Sequence, residues 1–373
     1  MSDPYLAQLS DTLRNYGIDQ PVTVVDLDRL EANCAIALAA ADPGVNQRLV
    51  AKSLPCLPLL DHIRHLIPTS GLMIFSETML TALLRAETGT DHLLGKPLPV
   101  SSAARIVAAC ADAADRVQWL IDTPDRLQEY LKLAEGGKSR LRISLEVDIG
   151  LHRGGMTSHQ VAEAARAVAA HPNAQLSGLM GYEAHLAKLP RFLRSRASRS
   201  CAEAYRRAID ALPATNSQLC LNTGGSLTFQ SYKAAGFANE IAFGSVLVKP
   251  SDFDHASTLD FKPATYLATP ILKVMPGNTL PGLGFLPRRK TDIAVFGGYY
   301  MADPLYPNGF AYSSVFGRST NQEVWTGPMA ASVQPGDIAL LRPTQSEAVL
   351  NQFGRLLAVR DNQVVHEWPC LPN

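Results

Sequence analysis

Short apolar runs alternate with amphipathic stretches along the first two thirds of the chain. This alternation is typical of βα units, which build a parallel sheet. Eight such runs occur, at residues 48–53, 71–76, 91–96, 116–122, 141–148, 175–183, 218–223 and 239–247. Eight parallel strands suit a closed (β/α)8 barrel of the TIM type, and we expect this α/β fold.

Two of the intervening stretches show helical spacing most clearly. Residues 103–114 and 160–170 place apolar side chains on one face of a helix. The second stretch is followed by His171-Pro172, where we expect the helix to end because proline cannot continue it.

The pattern changes after about residue 250, where β-type segments are punctuated by glycine and proline. Residues 21–26 form a similar run ahead of the barrel strands. The later segments are 265–274, 291–296, 337–341 and 355–365, the last with a turn at Asp361-Asn362. They predict a second, antiparallel β domain, which the early run joins.

The length of 373 residues fits a barrel with a second domain. We predict three parts: an N-terminal segment, 1–27, that joins the β domain, a barrel, 28–250, and a C-terminal β domain, 251–373.

The charges balance, with 34 basic and 34 acidic residues. A neutral chain has no long-range field to attract nucleic acid or an anionic membrane, so we expect neither partner. A small neutral or zwitterionic ligand fits better.

Six cysteines are scattered without a CxxC pair or a disulfide-like spacing. This pattern indicates reduced thiols in a cytoplasmic protein. The first residues lack the features of a signal peptide, and no apolar stretch approaches the roughly 20 residues of a membrane span. We therefore expect a soluble, cytoplasmic protein.

Lys52 closes the first barrel run, and polar motifs follow several later runs. Most lysines are solvated charges, but a lysine at the end of a buried strand can be the amine of a Schiff base with pyridoxal phosphate (PLP). The motifs are 147–155, 181–185, 222–226 and 243–245. All would lie at the carboxyl ends of the strands, where barrel enzymes collect their reactive groups.

Arg153 lies among glycines that would let the backbone approach a flat ring, although the same glycines could form a plain turn. Tyr182 and His185 follow the sixth run, where an aromatic ring could stack on a planar cofactor or simply line the barrel mouth.

The segment Asn222, Thr223, Gly224, Gly225 and Ser226 opens a predicted helix after a strand. Free N–H groups and hydroxyls there could bind a phosphate, and Gly244 and Ser245 would add donors. Such loops are common without a phosphate. No GxxxxGK[ST] motif occurs, and no GxGxxG opens a βαβ unit near the N-terminus, so nucleotide-binding folds have no support.

With these positions in place, the chain resembles the fold-type III PLP enzymes, and within them the D-threonine aldolase and D-serine dehydratase group with its alanine racemase-type barrel. The resemblance covers nearly the whole chain. Residues 51–53 resemble the family's Schiff-base segment, 147–153 its Asp-x-Gly-x-x-Arg signature, 181–185 its Gly-Tyr-Glu-Gly-His, and 223–226 with 243–245 its phosphate loops.

The resemblance implies that Lys52 forms the Schiff base with PLP, that Arg153 lies near the O3′ or nitrogen edge of the pyridine, and that Tyr182 contacts the ring. It also implies a head-to-tail homodimer whose sites are completed across the interface.

The chain departs from this family at the metal ligands. Metal-dependent members carry His-x-Cys, whereas residues 343–351 place Gln345 and Glu347 at those positions. A Zn²⁺ site is therefore not expected, although Gln345 and Glu347 could hold a harder ion such as Mg²⁺ or Mn²⁺. Without a metal, Glu347 is the candidate general base, and a solvated surface acid is the alternative.

We therefore expect a PLP-dependent lyase acting on a D-3-hydroxy amino acid, by retro-aldol cleavage as in D-threonine aldolase or by elimination as in D-serine dehydratase. An amino-acid racemase is the first alternative, and a PLP carrier without turnover is the second. For the racemase, the second acid/base would be Tyr299, Tyr300, Tyr306 or Tyr312. A hydrolase using Glu146 and Glu183 has no support beyond two strand-end acids.

Overall fold

The computed structural model describes residues 4–86, 89–110, 112–137, 140–213, 218–233, 236–277, 290–329 and 331–372. The first elements are helix α1 (Pro4–Tyr16) and strand β1 (Val22–Asp26).

Eight parallel strands follow and close into a barrel. The first strand, β2, pairs with both the second and the last, which completes the ring. The strands are β2 (Asn46–Val50), β3 (Gly71–Ile74), β4 (His92–Leu94), β5 (Val117–Ile121), β6 (Leu141–Glu146), β7 (Ala174–Met180), β8 (Cys220–Thr223) and β9 (Glu240–Phe243). This confirms the predicted barrel, and it brings the carboxyl ends of all eight strands to one rim.

Helices precede and connect the barrel strands. They are α2 (Leu27–Ala40), α3 (Leu57–Leu66), α4 (Glu77–Ala86), α5 (Val100–Ala109), α6 (Ala113–Arg116), α7 (Pro124–Glu135), α8 (Ser158–Ala170), α9 (His185–Lys188), α10 (Arg191–Asp210) and α11 (Ser245–Val248). The expected helix at 103–114 is two helices, since α5 ends at Ala109 and α6 begins at Ala113. Helix α8 ends before His171-Pro172, as predicted. In the described part of the chain, no helix is long and apolar enough to cross a membrane.

The elements after the barrel are β10 (Thr265–Pro276), β11 (Lys290–Phe296), β12 (Ala302–Tyr306), β13 (Ala311–Tyr312), β14 (Gln322–Pro328), β15 (Ile338–Pro343), α12 (Ser346–Val349), β16 (Arg355–Arg360) and β17 (Gln363–Pro369). These strands and β1 form the second, largely antiparallel sheet, in the order β13-β14-β11-β10-β1-β16-β17, with β15 pairing β10 and β12. Strand β1 lies between β10 and β16, antiparallel to the first and parallel to the second. The expected antiparallel β domain is thus present.

Charged side chains pair inside the barrel at the amino ends of the strands. Arg48, only 2% exposed, donates to Glu240 at 2.7 Å and to Asp91 at 2.7 Å. Asp91 also accepts from Arg142. Arg48 and Glu240 are buried and paired with each other, so neither charge is left uncompensated inside the barrel. The opposite rim carries the motifs singled out from the sequence.

Candidate active site

Lys52 and Glu347 meet at the carboxyl-terminal rim of the barrel. Lys52 lies in a short 3₁₀ turn, Ala51–Ser53, directly after β2, and Glu347 lies in α12 of the β domain. Lys52 Nζ is 3.1 Å from Glu347 Oε1, and the two side chains are 34% and 31% exposed. The amine is therefore held in place and still accessible to a small molecule.

An aromatic ring supports the Lys52 amine. Lys52 Nζ lies 4.5 Å from the centroid of the Phe75 ring, at a distance that permits a cation–π contact. The ring fits because residue 95 is glycine: a Cβ there would lie 2.2 Å from Phe75 Cζ. Phe75 and Gly95 were not among the predicted site residues, because their only signal in the sequence is their place at the ends of two predicted strands.

Three buried serines link Glu347 to the turn that carries Lys52. Ser346 Oγ lies 3.2 Å from Glu347 Oε2 and 3.4 Å from Ser245 Oγ. Ser245 Oγ is in turn 2.8 Å from Ser53 Oγ. Each hydroxyl has one proton, so the direction of this chain of hydrogen bonds can change when Glu347 gains or loses a proton.

The loops after β8 and β9 face each other and present backbone donors. The N–H groups of Gly244 and Val246 donate to Ser226 Oγ at 3.3 and 3.1 Å. A Cβ at Gly244 would lie 2.8 Å from the carbonyl oxygen of Val50, at the end of the strand that leads to Lys52. Donors that converge on one oxygen are the kind that a phosphate oxygen accepts.

Glu183 fixes the loop after β8 from below. It is fully buried, and its carboxylate accepts from Thr223 Oγ1 at 2.9 Å and from Thr228 Oγ1 at 2.6 Å. The N–H of Gly224 points to the same carboxylate at 3.4 Å. The Thr223 hydroxyl therefore supports the loop through Glu183, a role that the sequence analysis did not anticipate.

Tyr182 lies between Arg153 and the loop after β8, residues 224–226. A Cβ at Gly225 would lie 2.8 Å from Tyr182 Cε2, so glycine is needed for this approach. The exposed Arg153 guanidinium lies 5.5 Å from the centroid of the Tyr182 ring. The pKa of Tyr182 is raised, mainly by burial and then by the charge of Glu183.

The loop that carries Arg153 is shaped by Asp148. Its carboxylate accepts from the N–H of Gly150 at 2.9 Å and of His152 at 3.1 Å. At the end of β6 beneath this loop, the pKa of Glu146 is raised to about 7, chiefly by burial and also by Asp122, while Arg153 acts in the opposite direction.

His185 begins α9 with its ring against Cys201, whose Sγ lies 3.6 Å from His185 Nε2. Its Nδ1 is buried and, among the residues that the structure describes, has no hydrogen-bond partner.

Two predicted site residues direct their side chains elsewhere. Asn222 is buried and donates to Glu240 Oε1 at 2.7 Å, within the charged network of the barrel interior. Gln345 donates to Asp252 at 2.9 Å, whereas Glu347 faces Lys52. Among the described residues, no group of three or more His, Cys, Asp or Glu side chains is placed to hold a metal ion.

The four tyrosines considered for a racemase differ in their surroundings. Tyr299 is 62% exposed, with the Arg318 guanidinium 5.0 Å from its ring centroid. Tyr300 packs on the edge of Phe353, Tyr306 packs in the cluster that includes α1, and Tyr312 donates to a backbone carbonyl. Tyr299 is thus the one of these four that faces outward.

The residues at this rim fit PLP. Lys52 provides an accessible amine, and glycine at 225 leaves room beside the Tyr182 ring. A phosphate oxygen could take the place of Ser226 Oγ as the acceptor of the Gly244 and Val246 N–H groups. The partnerless His185 Nδ1 and the Arg153 guanidinium add polar groups at the edge.

A model of the alanine racemase N-terminal domain matches residues 25–252 of this chain. D-threonine aldolase from Filomicrobium marinum is similar in structure, with 17% identity, a TM-score of 0.76, and 94% of this chain and 97% of that chain covered. D-threo-3-hydroxyaspartate dehydratase from Delftia sp. HT23 is also similar in structure, with 16% identity and a TM-score of 0.77. The match covers 96% of this chain and 98% of that chain.

Alanine racemase from Clostridium difficile 630 is similar in structure as well, with 14% identity and a TM-score of 0.75. The match covers 94% of this chain and 98% of that chain. No curated protein matches the sequence. Likeness at these identities shows the fold alone.

Proposed function

Because the chain belongs to the family of the alanine racemase N-terminal domain, whose members are PLP-dependent enzymes, we propose that it is a PLP-dependent lyase acting on a D-3-hydroxy amino acid. The observation that carries this proposal is the 3.1 Å contact between Lys52 Nζ and Glu347 Oε1. It joins an amine suited to covalent capture of an aldehyde with an acid suited to proton transfer.

Lys52 would hold the cofactor covalently. The N–H groups of Gly244 and Val246, which donate to Ser226 Oγ in the structure, would donate to the phosphate instead, and the Ser226 hydroxyl would turn to the same phosphate. Tyr182 and Arg153 would lie against its ring. When bound, PLP stores the electron pair that is released when a bond at Cα of an amino acid breaks.

Glu347 is the residue that moves protons. It first accepts the proton that Lys52 Nζ must lose, since only a neutral amine attacks a carbonyl. Once that proton has passed to solvent, the Glu347 carboxylate accepts the proton of the substrate's β-hydroxyl in retro-aldol cleavage as the Cα–Cβ bond breaks. A proton then returns to Cα, which gives glycine and an aldehyde. In elimination, the neutral Lys52 amine, released when the substrate's own amine replaces it, would take the Cα proton, while the protonated acid donates to the departing hydroxyl, which leaves as water.

The contacts of Glu347 and Gln345 support this assignment over a metal. Their side chains have different partners, Lys52 and Asp252, and this favours an acid–base role for Glu347 over a hard-ion site shared with Gln345. We propose that the Glu347 carboxylate performs the activation of the hydroxyl for which metal-dependent relatives use an ion.

A racemase is the second candidate, and the outward position of Tyr299 favours it. The exposed phenol, held beside Arg318, could enter the site of a second copy of the chain and exchange a proton on the cofactor face opposite Lys52. We also propose that the protein is a homodimer, because in the racemase Tyr299 would act in the site of the second copy. The lyase is compatible with the same assembly. A carrier without turnover is supported less, because it needs no acid from the β domain beside Lys52.

The test is a substrate panel with the PLP-loaded protein. Purified enantiomers of threonine, serine, 3-hydroxyaspartate and alanine are incubated separately, and aldehyde, ammonia, keto acid and the opposite enantiomer are measured. The lyase predicts aldehyde, or ammonia with keto acid, from a D-3-hydroxy amino acid, with or without EDTA. Appearance of the opposite enantiomer alone would favour the racemase, and no product from any compound would favour the carrier.

A further inference from the structure

Two cysteine thiols are in contact on the far side of the turn that carries Lys52. Cys56 Sγ lies 3.5 Å from Cys370 Sγ, although the residues are 314 positions apart. Cys56 is buried at the start of α3, and Cys370 follows β17 and is partly exposed. The barrel and the C-terminal end of the chain thus meet through two sulfur atoms.

The backbone holds both cysteines in place. Leu371 N–H donates to the carbonyl of Pro55 at 2.6 Å, and Cys370 N–H donates to the carbonyl of Gly354 at 2.9 Å. The residues on either side of the thiols are therefore fixed to each other, so the contact does not depend on a single side-chain rotamer.

The pair lies where the segments bearing the two reactive groups converge. Cys56 follows the Ala51–Ser53 turn that carries Lys52. Cys370 Sγ also donates to the carbonyl oxygen of Leu350 at 3.3 Å. Leu350 directly follows α12, the helix that carries Glu347. A covalent bond between these sulfurs would tie the Lys52 segment to the segment beside Glu347.

We propose that Cys56 and Cys370 are a modification site that forms a reversible disulfide by exchange with a small disulfide such as glutathione disulfide. The Cys370 thiolate attacks one sulfur of the small disulfide and expels one thiolate, which leaves a mixed disulfide on Cys370. The Cys56 thiol then loses its proton and attacks the Cys370 sulfur, which releases the second small thiol. The protein loses two hydrogen atoms and one small disulfide is reduced to two thiols.

The order of these steps follows from the surroundings of each thiol. Cys370 is partly exposed, and the hydrogen bond from Cys56 lowers its pKa, so it is the accessible attacking group. Cys56 is buried, and its pKa is raised by its contact with Cys370 and by burial, so it suits the second, internal step.

The other four cysteines have different surroundings. Cys34 and Cys110 are buried, Cys201 lies against His185, and Cys220 donates to Glu240. They therefore serve as internal references in a thiol count.

The test is a thiol titration of the full-length protein after incubation with glutathione disulfide, quenching and denaturation. Two of the six thiols should be lost, and peptide mapping should find a single link between Cys56 and Cys370. Dithiothreitol should restore all six. This measurement does not depend on PLP or on any activity, so its failure and that of the proposed function are distinguishable.

Matched variants decide the outcome. Cys370→Ser should keep all five of its thiols, Cys110→Ser should lose two of its five, and Cys56→Ala should retain glutathione on Cys370 as a stable mixed disulfide. Six free thiols in the treated wild-type protein, a link between other cysteines, or loss of two thiols in Cys370→Ser would each overturn the proposal.

Discussion

Lys52 and Glu347 are 295 residues apart in the sequence, and their side chains meet at 3.1 Å across the boundary between the barrel and the β domain. The barrel supplies the amine and the β domain supplies the acid. Neither domain alone contains both groups, so the position of α12 on the barrel rim decides whether the site is complete.

Glu347→Gln keeps the size of the side chain and removes its ability to exchange a proton. We predict that the variant still captures PLP on Lys52, although more slowly because water must take the proton of the amine. On the substrate found in the panel, kcat falls about 10²- to 10⁴-fold. Steady-state kinetics with PLP in excess measures this. Glu367→Gln, a change on the exposed surface of the β domain, is the matched control and should keep full activity. A Glu347→Gln enzyme with unchanged kcat would show that another group moves the proton.

Gly225→Ala tests the space beside Tyr182. The new methyl would lie 2.8 Å from the Tyr182 ring, so the ring or the loop must shift, at a cost of about 1–3 kcal/mol. We predict that PLP binds at least about tenfold more weakly, measured by titration of the cofactor-free protein. Gly136→Ala is the control. Gly136 directly follows α7, and a Cβ there would lie 3.9 Å from its nearest neighbouring atom, so this variant should bind PLP normally. Equal affinity in both variants would contradict the assignment of this loop.

The raised pKa of Glu146 predicts a pH dependence of stability. Its pKa is about 7 in the folded protein, against about 4.5 for an ordinary glutamate. Folding therefore binds a proton between these pH values, and stability is lost as the pH rises from about 4.5 to about 7. Glu146→Gln should remove this loss and be more stable than the wild type by about 1–3 kcal/mol above pH 7, with little difference near pH 4.

Urea unfolding of both proteins across this pH range measures the difference. Glu129→Gln, on the exposed face of α7, should follow the wild-type curve throughout. A difference between Glu146→Gln and wild type that stays constant with pH would mean that the Glu146 pKa is not raised.

The barrel could be predicted from the sequence because several of its strands, such as β3 and β5, are buried on both faces and give short apolar runs between amphipathic stretches. Each of the eight predicted runs overlaps an observed strand, from β2 to β9. The helix at 103–114 was wrong in extent because its apolar spacing runs across Cys110, where α5 has already ended.

The contacts within the site could be predicted only in part. The motifs after β2, β6, β7, β8 and β9 were expected at one rim because parallel strands bring their carboxyl ends together. Other contacts depend on packing between segments that are distant in the sequence, so no local pattern predicts them. Examples are the approach of Phe75 to Gly95 and the hydrogen bonds from Thr223 and Thr228 to Glu183. Asn222 lies in the predicted loop segment, but strand geometry turns its amide toward Glu240.

The most direct test of the account is the chemical identity of the residue that captures PLP. The loaded protein is reduced with borohydride and digested, and the modified peptide is identified by mass spectrometry. We predict one adduct, on Lys52, which is absent from a folded Lys52→Ala variant and present in Lys132→Ala, a change on the exposed face of α7. An adduct on another lysine, or an unchanged yield from Lys52→Ala, would contradict the central claim.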